Sequence, residues 1–356
     1  MKLLPSACLA LILIACTSSD GEVFRSPAGS PGLPCVQAPF VVQQTAAAAF
    51  AVTATSDGAL VVAQVGEDAR LFRVRQPSNK PTVSAFVVGR SGYTYSVAPS
   101  EGAGPLWMVF QNHSLAGQWR VYAAAWNETT GLNEMLTTLS NDGAENIGPK
   151  AAWLGSRLGV AFRQDAQLTF VVTDGTSIVG RDLGADLSPP PVITRVLTRP
   201  QGFIVAYKRT NAALAYFDTE GKPSGGVELP SPTSDVTMVG AALVAISANA
   251  SGLDRVTLDS NGVAAVTPLN VEANANVLRV ATQSNHVAVA YLESAGTAAA
   301  RLRFLWNQGE SSLAYPALVV PNAVDVDVVP TTQGALVFYR TDAAVMARFY
   351  CSATMP

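Results

Sequence analysis

A six-residue apolar segment recurs seven times along the chain, and no other feature constrains the fold as much. It reads Ala59 to Gln64 (ALVVAQ), Leu106 to Gln111 (LWMVFQ), Leu158 to Arg163 (LGVAFR), Gly202 to Tyr207 (GFIVAY), Ala241 to Ile246 (AALVAI), His286 to Tyr291 (HVAVAY) and Gly334 to Tyr339 (GALVFY). Successive copies start 47, 52, 44, 39, 45 and 48 residues apart. A period of this length marks one unit of supersecondary structure stacked on the next. Runs this short, rich in Val, Ala, Phe and Tyr and bounded by Gly, Pro, Asn or Asp, read as strands, with almost no convincing period of 3.6. The composition agrees. Of 356 residues, 49% are hydrophobic and 14% charged, which excludes a disordered chain and a coiled coil.

A polar turn and a second strand follow each copy: Leu71 to Val74, Val121 to Trp126, Leu168 to Thr173, Leu214 to Asp218, Arg255 to Asp259, Leu302 to Trp306 and Met346 to Cys351. Several then enter an Asp- or Asn-led turn ending in Gly, such as Asp218 to Gly221 and Asp259 to Gly262. There the acidic or amide side chain bonds back to turn amides and Gly takes a positive φ. A further strand follows (Val83 to Val88, Val263 to Val266), and another precedes each copy (Val277 to Thr282, Val324 to Val329). Four strands per repeat resemble a β-propeller blade. The expected fold is therefore all-β: a seven-bladed β-propeller with four-stranded blades, the domain running over 35–356. Two stacked β-sandwiches, divided near Ser188 to Pro191, and rings of six or eight blades are the alternatives. WD-repeat signatures are missing, so the resemblance implies no functional subfamily.

The chain ends one strand short of a seventh blade, while Val36 to Val42 is a strand without a blade. Laid antiparallel on Met346 to Cys351, it would close the ring and leave no unpaired blade edge. Cys35 would then fall beside Cys351, and a disulfide between them is expected. In the loop-entropy model, so long a closure contributes roughly 5 kcal/mol.

Lys2 and the apolar stretch Ala7 to Ala15 have the layout of an export signal, too short for a spanning helix. The run Leu13-Ile14-Ala15-Cys16 resembles the bacterial lipobox. That resemblance implies a signal peptide over 1–15, lipidation of Cys16 and a flexible tether over 16–34. Thr17 and Ser18 after the anchor imply the outer membrane, on its periplasmic or surface face.

Catalytic signatures are scarce. There is no His-Glu-x-x-His, no phosphate-binding Gly-Lys-Ser/Thr loop and no Gly-x-Ser-x-Gly elbow, and the chain has only two histidines, His113 and His286. Asp325 and Asp327 alternate on one strand and so share a face. Such a pair could hold Ca²⁺ or serve as acid and base; the favoured reading is ion pairing in the channel with Lys150, Arg195 or Arg279 of other inner strands. No other metal or cofactor is expected. Trp107, Trp126, Trp153 and Trp306, with Tyr93 and Tyr95, read as packing between blades.

A net charge of -3 offers no pull toward nucleic acid. The expectation is a monomeric, lipid-anchored envelope propeller that binds a protein or glycan partner without catalysis. The competing expectation is an exported hydrolase or lyase acting on polysaccharide.

Overall fold

The computed structural model describes residues 23–24 and 36–351, except 56, 67, 76–81, 91, 100–105, 114–117, 128–130, 133–135, 142–143, 260–261 and 272; over 82–99 it describes the backbone alone. Among these residues the chain forms seven small antiparallel sheets. The innermost strand of each packs against the innermost strand of the next, and blade seven packs on blade one, so the sheets close into a ring. This is the expected seven-bladed β-propeller.

The second strands explain why the apolar hexamers are continuous rather than alternating. In Gly58–Val65, the side chains of Ala59, Val61 and Ala63 join one apolar cluster with blade seven. Those of Leu60 and Val62 point the other way, into a cluster with blade two. Gly334–Arg340 divides likewise: Ala335, Val337 and Tyr339 face blade six, whereas Leu336 and Phe338 face blade one. Both faces of the strand are therefore buried. The core is seven clusters, one at each junction between blades. At about 25 cal/mol per Å² of apolar surface removed from water, this burial is the main force holding the blades together.

Glycine opens several of these strands for a steric reason. A Cβ on Gly202 would lie 2.1 Å from the carbonyl oxygen of Phe217, and its φ of +142° further penalises other residues. The Asp218 turn forms as the sequence suggests. Its Oδ1 accepts from the amides of Glu220 (2.8 Å) and Lys222 (2.9 Å), and Gly221 has φ +83°.

Blade seven consists of Asp325–Thr331, Gly334–Arg340 and Val345–Cys351, with its outer strand supplied from the N-terminal side. That outer strand is not the single run 36–42. It comes in two pieces, Val36–Gln37 and Phe40–Gln43, both antiparallel to Val345–Cys351. Pro39 lies between them; lacking an N–H, it cannot continue the ladder. Blades two and six divide their outermost strand into two short pieces as well. Two residues of the expected tether, Val23–Phe24, pair with Val36–Gln37 and widen the last sheet. Cys16 and Cys35 lie outside the described residues. Val36 pairs directly with Tyr350, one residue before the end of the strand that finishes at Cys351. Trp306 Nε1 donates to the Cys351 carbonyl at 2.9 Å, fastening this strand to blade six.

Candidate functional site

The innermost strands surround a channel of about 510 Å³, and its lining includes Lys150, Arg195, Arg279, Asp325 and Asp327. Four separate strands thus bring together all the charged residues singled out from sequence. Lys150 comes from Asn146–Leu154 of blade three and Arg195 from Val192–Arg199 of blade four. Arg279 belongs to Ala275–Gln283 of blade six, and the two aspartates to Asp325–Thr331 of blade seven.

Backbone register explains the convergence. In each blade, one inner-strand residue pairs with the fifth residue of the second strand. These pairs are Ala51 with Val62, Tyr95 with Phe110, Lys150 with Ala161 and Arg195 with Ala206. Asp235 with Ile246, Arg279 with Ala290 and Asp327 with Phe338 complete the set. Equivalent positions in a closed ring lie at one level of the channel, so this level carries five charged residues on five successive blades. Asp325 sits two residues earlier on the same face as Asp327.

The charges alternate from blade four onward and are matched. Arg195 Nη2 lies 3.0 Å from Asp235 Oδ2 and 3.7 Å from Asp327 Oδ1, and its Nη1 donates to the Val280 carbonyl. Asp235, on Thr233–Val239 of blade five and 1% exposed, also accepts from the Val280 amide at 2.9 Å. One arginine therefore ties its own blade to blades five, six and seven. Arg279 Nη2 is 3.7 Å from Asp325 Oδ1, and the two aspartates each accept from the amide of the following valine. The Lys150 ammonium makes no hydrogen bond or ion pair among the described residues.

Burial drives the titration shifts. It pushes the Asp327 carboxyl upward, against the pull of Arg195 and Arg279. Burial also works to lower Arg279, but Asp325, Asp235 and Asp327 outweigh it and raise this guanidinium. Lys150 is held low by burial and then by Arg279, with Asp327 and Asp325 pulling it partly back. Among the described residues, no group of three or more His, Cys, Asp or Glu side chains is placed to hold a metal ion. The neighbours of Asp325 and Asp327 are guanidinium groups, a setting that suits an ion pair better than Ca²⁺.

Asp235 escaped the sequence reading, although it is the most buried member of the charged level. A usable signal existed. Asp235, Arg279, Asp327, Arg195 and Lys150 each stand seven residues before the second strand of their blade, as does Ala51. The aromatic candidates divide. Trp126 and Trp306 are buried between blades, and Trp107 and Trp153 meet at 5.9 Å. His286 lies edge-on to Trp306 at 6.4 Å. His113 ends the strand Leu106–His113, and the side chains of Tyr93 and Tyr95 lie outside the described residues.

No family model matches the chain, and no curated protein does. Solved structures do resemble it. A chain of the mitotic checkpoint complex is similar with a TM-score of 0.59 at 9% identity, covering 98% of this chain and 100% of that one. A protein of unknown function from Bacteroides caccae is similar with a TM-score of 0.47 at 12% identity, covering 70% of this chain and 90% of that one. At these identities the likeness is one of fold alone.

Proposed function

We propose that this propeller is a lipid-anchored interaction module of a bacterial cell envelope, holding a protein or glycan partner without catalysis. One observation carries the non-catalytic part. Asp325 and Asp327, the residues best suited in sequence to be acid and base, each have a guanidinium within 3.7 Å. A carboxylate pair set up for hydrolysis needs one member ready to give a proton and the other free to take one or attack. Here the carboxylates act as counter-ions that hold the inner strands together. A rigid ring with two loop-bearing faces is suited to display surfaces rather than to move.

The anchor rests on the sequence. A signal peptide over 1–15, the lipobox cysteine Cys16 and a polar tether over 16–34 support attachment to a membrane, and Thr17 and Ser18 support the outer one. The closing disulfide belongs to the same reading. The pairing of Val36 with Tyr350 supports a Cys35–Cys351 bridge, because directly opposed antiparallel residues lie within the ~4.4–6.8 Å between Cα atoms that a disulfide spans.

Two measurements test the proposal. Metabolic labelling with an alkynyl fatty acid should mark the wild-type chain and leave Cys16→Ser unmarked; label on both would remove the anchor. Cross-linking in intact envelopes should give one dominant adduct that is unchanged in an Asp325→Asn/Asp327→Asn double variant. Hydrolysis of an envelope polysaccharide by the wild type, lost in that variant, would establish the hydrolase instead.

A further inference from the structure

The charged level of the channel is complete on one side and open on the other. Three cations (Lys150, Arg195 and Arg279) stand with three carboxylates (Asp235, Asp325 and Asp327). Each carboxylate has a guanidinium within 3.7 Å, whereas Lys150 is without a direct counter-ion among the described residues. A part-buried ammonium left in that state is costly, and an anion beside it would remove the cost. Its setting agrees, since burial together with Arg279 already disfavours the charged amine. The remaining wall of the cavity is mixed: Phe50, Val52, Trp153, Leu197 and Met238 lie beside threonines such as Thr53, Thr194 and Thr237. A volume of about 510 Å³ falls in the usual range for sites that hold small organic molecules.

We propose that the channel binds a small organic carboxylate, its anionic head on the Lys150 ammonium and its apolar body against Phe50, Val52 and Trp153. A single negative charge suits the site. One ammonium is available, and a phosphate dianion would bring its second charge toward Asp325 and Asp327. A cation is disfavoured for the converse reason, because the carboxylates already have partners and Lys150 would repel it. The proposal is independent of any macromolecular partner on the propeller faces.

Isothermal titration calorimetry of the full-length chain in detergent, with hexanoate and benzoate as probes, tests it. Both should bind at millimolar concentration or below, while hexylamine and inorganic phosphate should not. Lys150→Met keeps the aliphatic stem and removes the charge; it should weaken hexanoate by about tenfold or more, the scale of a charge-assisted hydrogen bond. Equal affinity in that variant, tighter binding of hexylamine or phosphate, or no carboxylate binding would each overturn the proposal. Should Lys150→Met fail to fold, the wild type still decides the matter. The chain has five lysines. After ¹³C-methylation, hexanoate should shift one lysine signal selectively, and a spectrum that does not move refutes the site.

Discussion

The two arcs of the channel wall share a backbone register and differ in what they do with it. In blades four to seven the equivalent positions hold Arg195, Asp235, Arg279 and Asp327, and opposite charges meet across blade boundaries at 3.0 and 3.7 Å. In blades one and three the same positions hold Ala51 and Lys150, with no such bond among the described residues. The first arc is cross-tied, and the second leaves room beside a lone cation. Backbone geometry decides where side chains meet; their chemistry then decides whether the meeting is a tie or leaves a charge unmatched. Buried pairs of this kind seldom add net stability over a well-packed apolar replacement, yet breaking one is expensive.

The largest expected effect therefore comes from cutting the tied arc at its most buried point. Asp235→Ala leaves the Val280 amide without its acceptor and takes from Arg195 its nearest carboxylate, and should cost about 3–5 kcal/mol in urea unfolding. Pairing it with Arg195→Met should recover a substantial part of that loss. If the double variant is as unstable as the sum of the two single ones, the tie is not the coupled unit described here.

The seam that joins the two arcs comes next. Replacing Cys35 and Cys351 by Ser should cost about 2–5 kcal/mol if the proposed bridge closes the ring. Peptide mapping without reductant tests the bridge directly, and two freely alkylated thiols would remove it. Arg279→Met should cost less, on the order of 1 kcal/mol by the same unfolding measurement, because its partner Asp325 is 32% exposed and water can replace the arginine.

The smallest effect should have the opposite sign. Lys150 has a folded-state pKa below its ordinary 10.5, so folding favours its neutral form. The stability this provides is present above about 10.5 and is lost as the pH falls through the lowered value. At neutral pH, well below 10.5, the wild type therefore bears a penalty, and Lys150→Met should melt about one or two degrees higher. Near pH 11 the difference should shrink. A variant that melts lower at pH 7 would mean that Lys150 has a partner the tied arc lacks.

Much of the architecture was legible because a propeller's second strands are buried on both faces. That burial forces runs such as GALVFY, which stand out against the turns and can be counted. The outer strand over 36–42 was legible in place but not in form, since Pro39 breaks its ladder. At the channel, Lys150, Arg195, Arg279, Asp325 and Asp327 could be nominated as charges on inner strands. Asp235 was passed over because one aspartate in Thr-Ser-Asp-Val resembles a turn residue until its offset from the next strand is compared with that of the other blades.

The sequence by itself determined the number of blades, the length of each blade and the spacing that places one residue per blade at the channel level. These are local properties, set by apolar periodicity, turn chemistry and the constant distance between neighbouring strands. Only the tertiary structure decided which charge faces which. Arg195 and Asp327 are far apart along the chain and meet solely because the ring closes. Whether a carboxylate is paired, and whether a lysine is left alone, depends on ångström-scale distances that no one-dimensional pattern encodes.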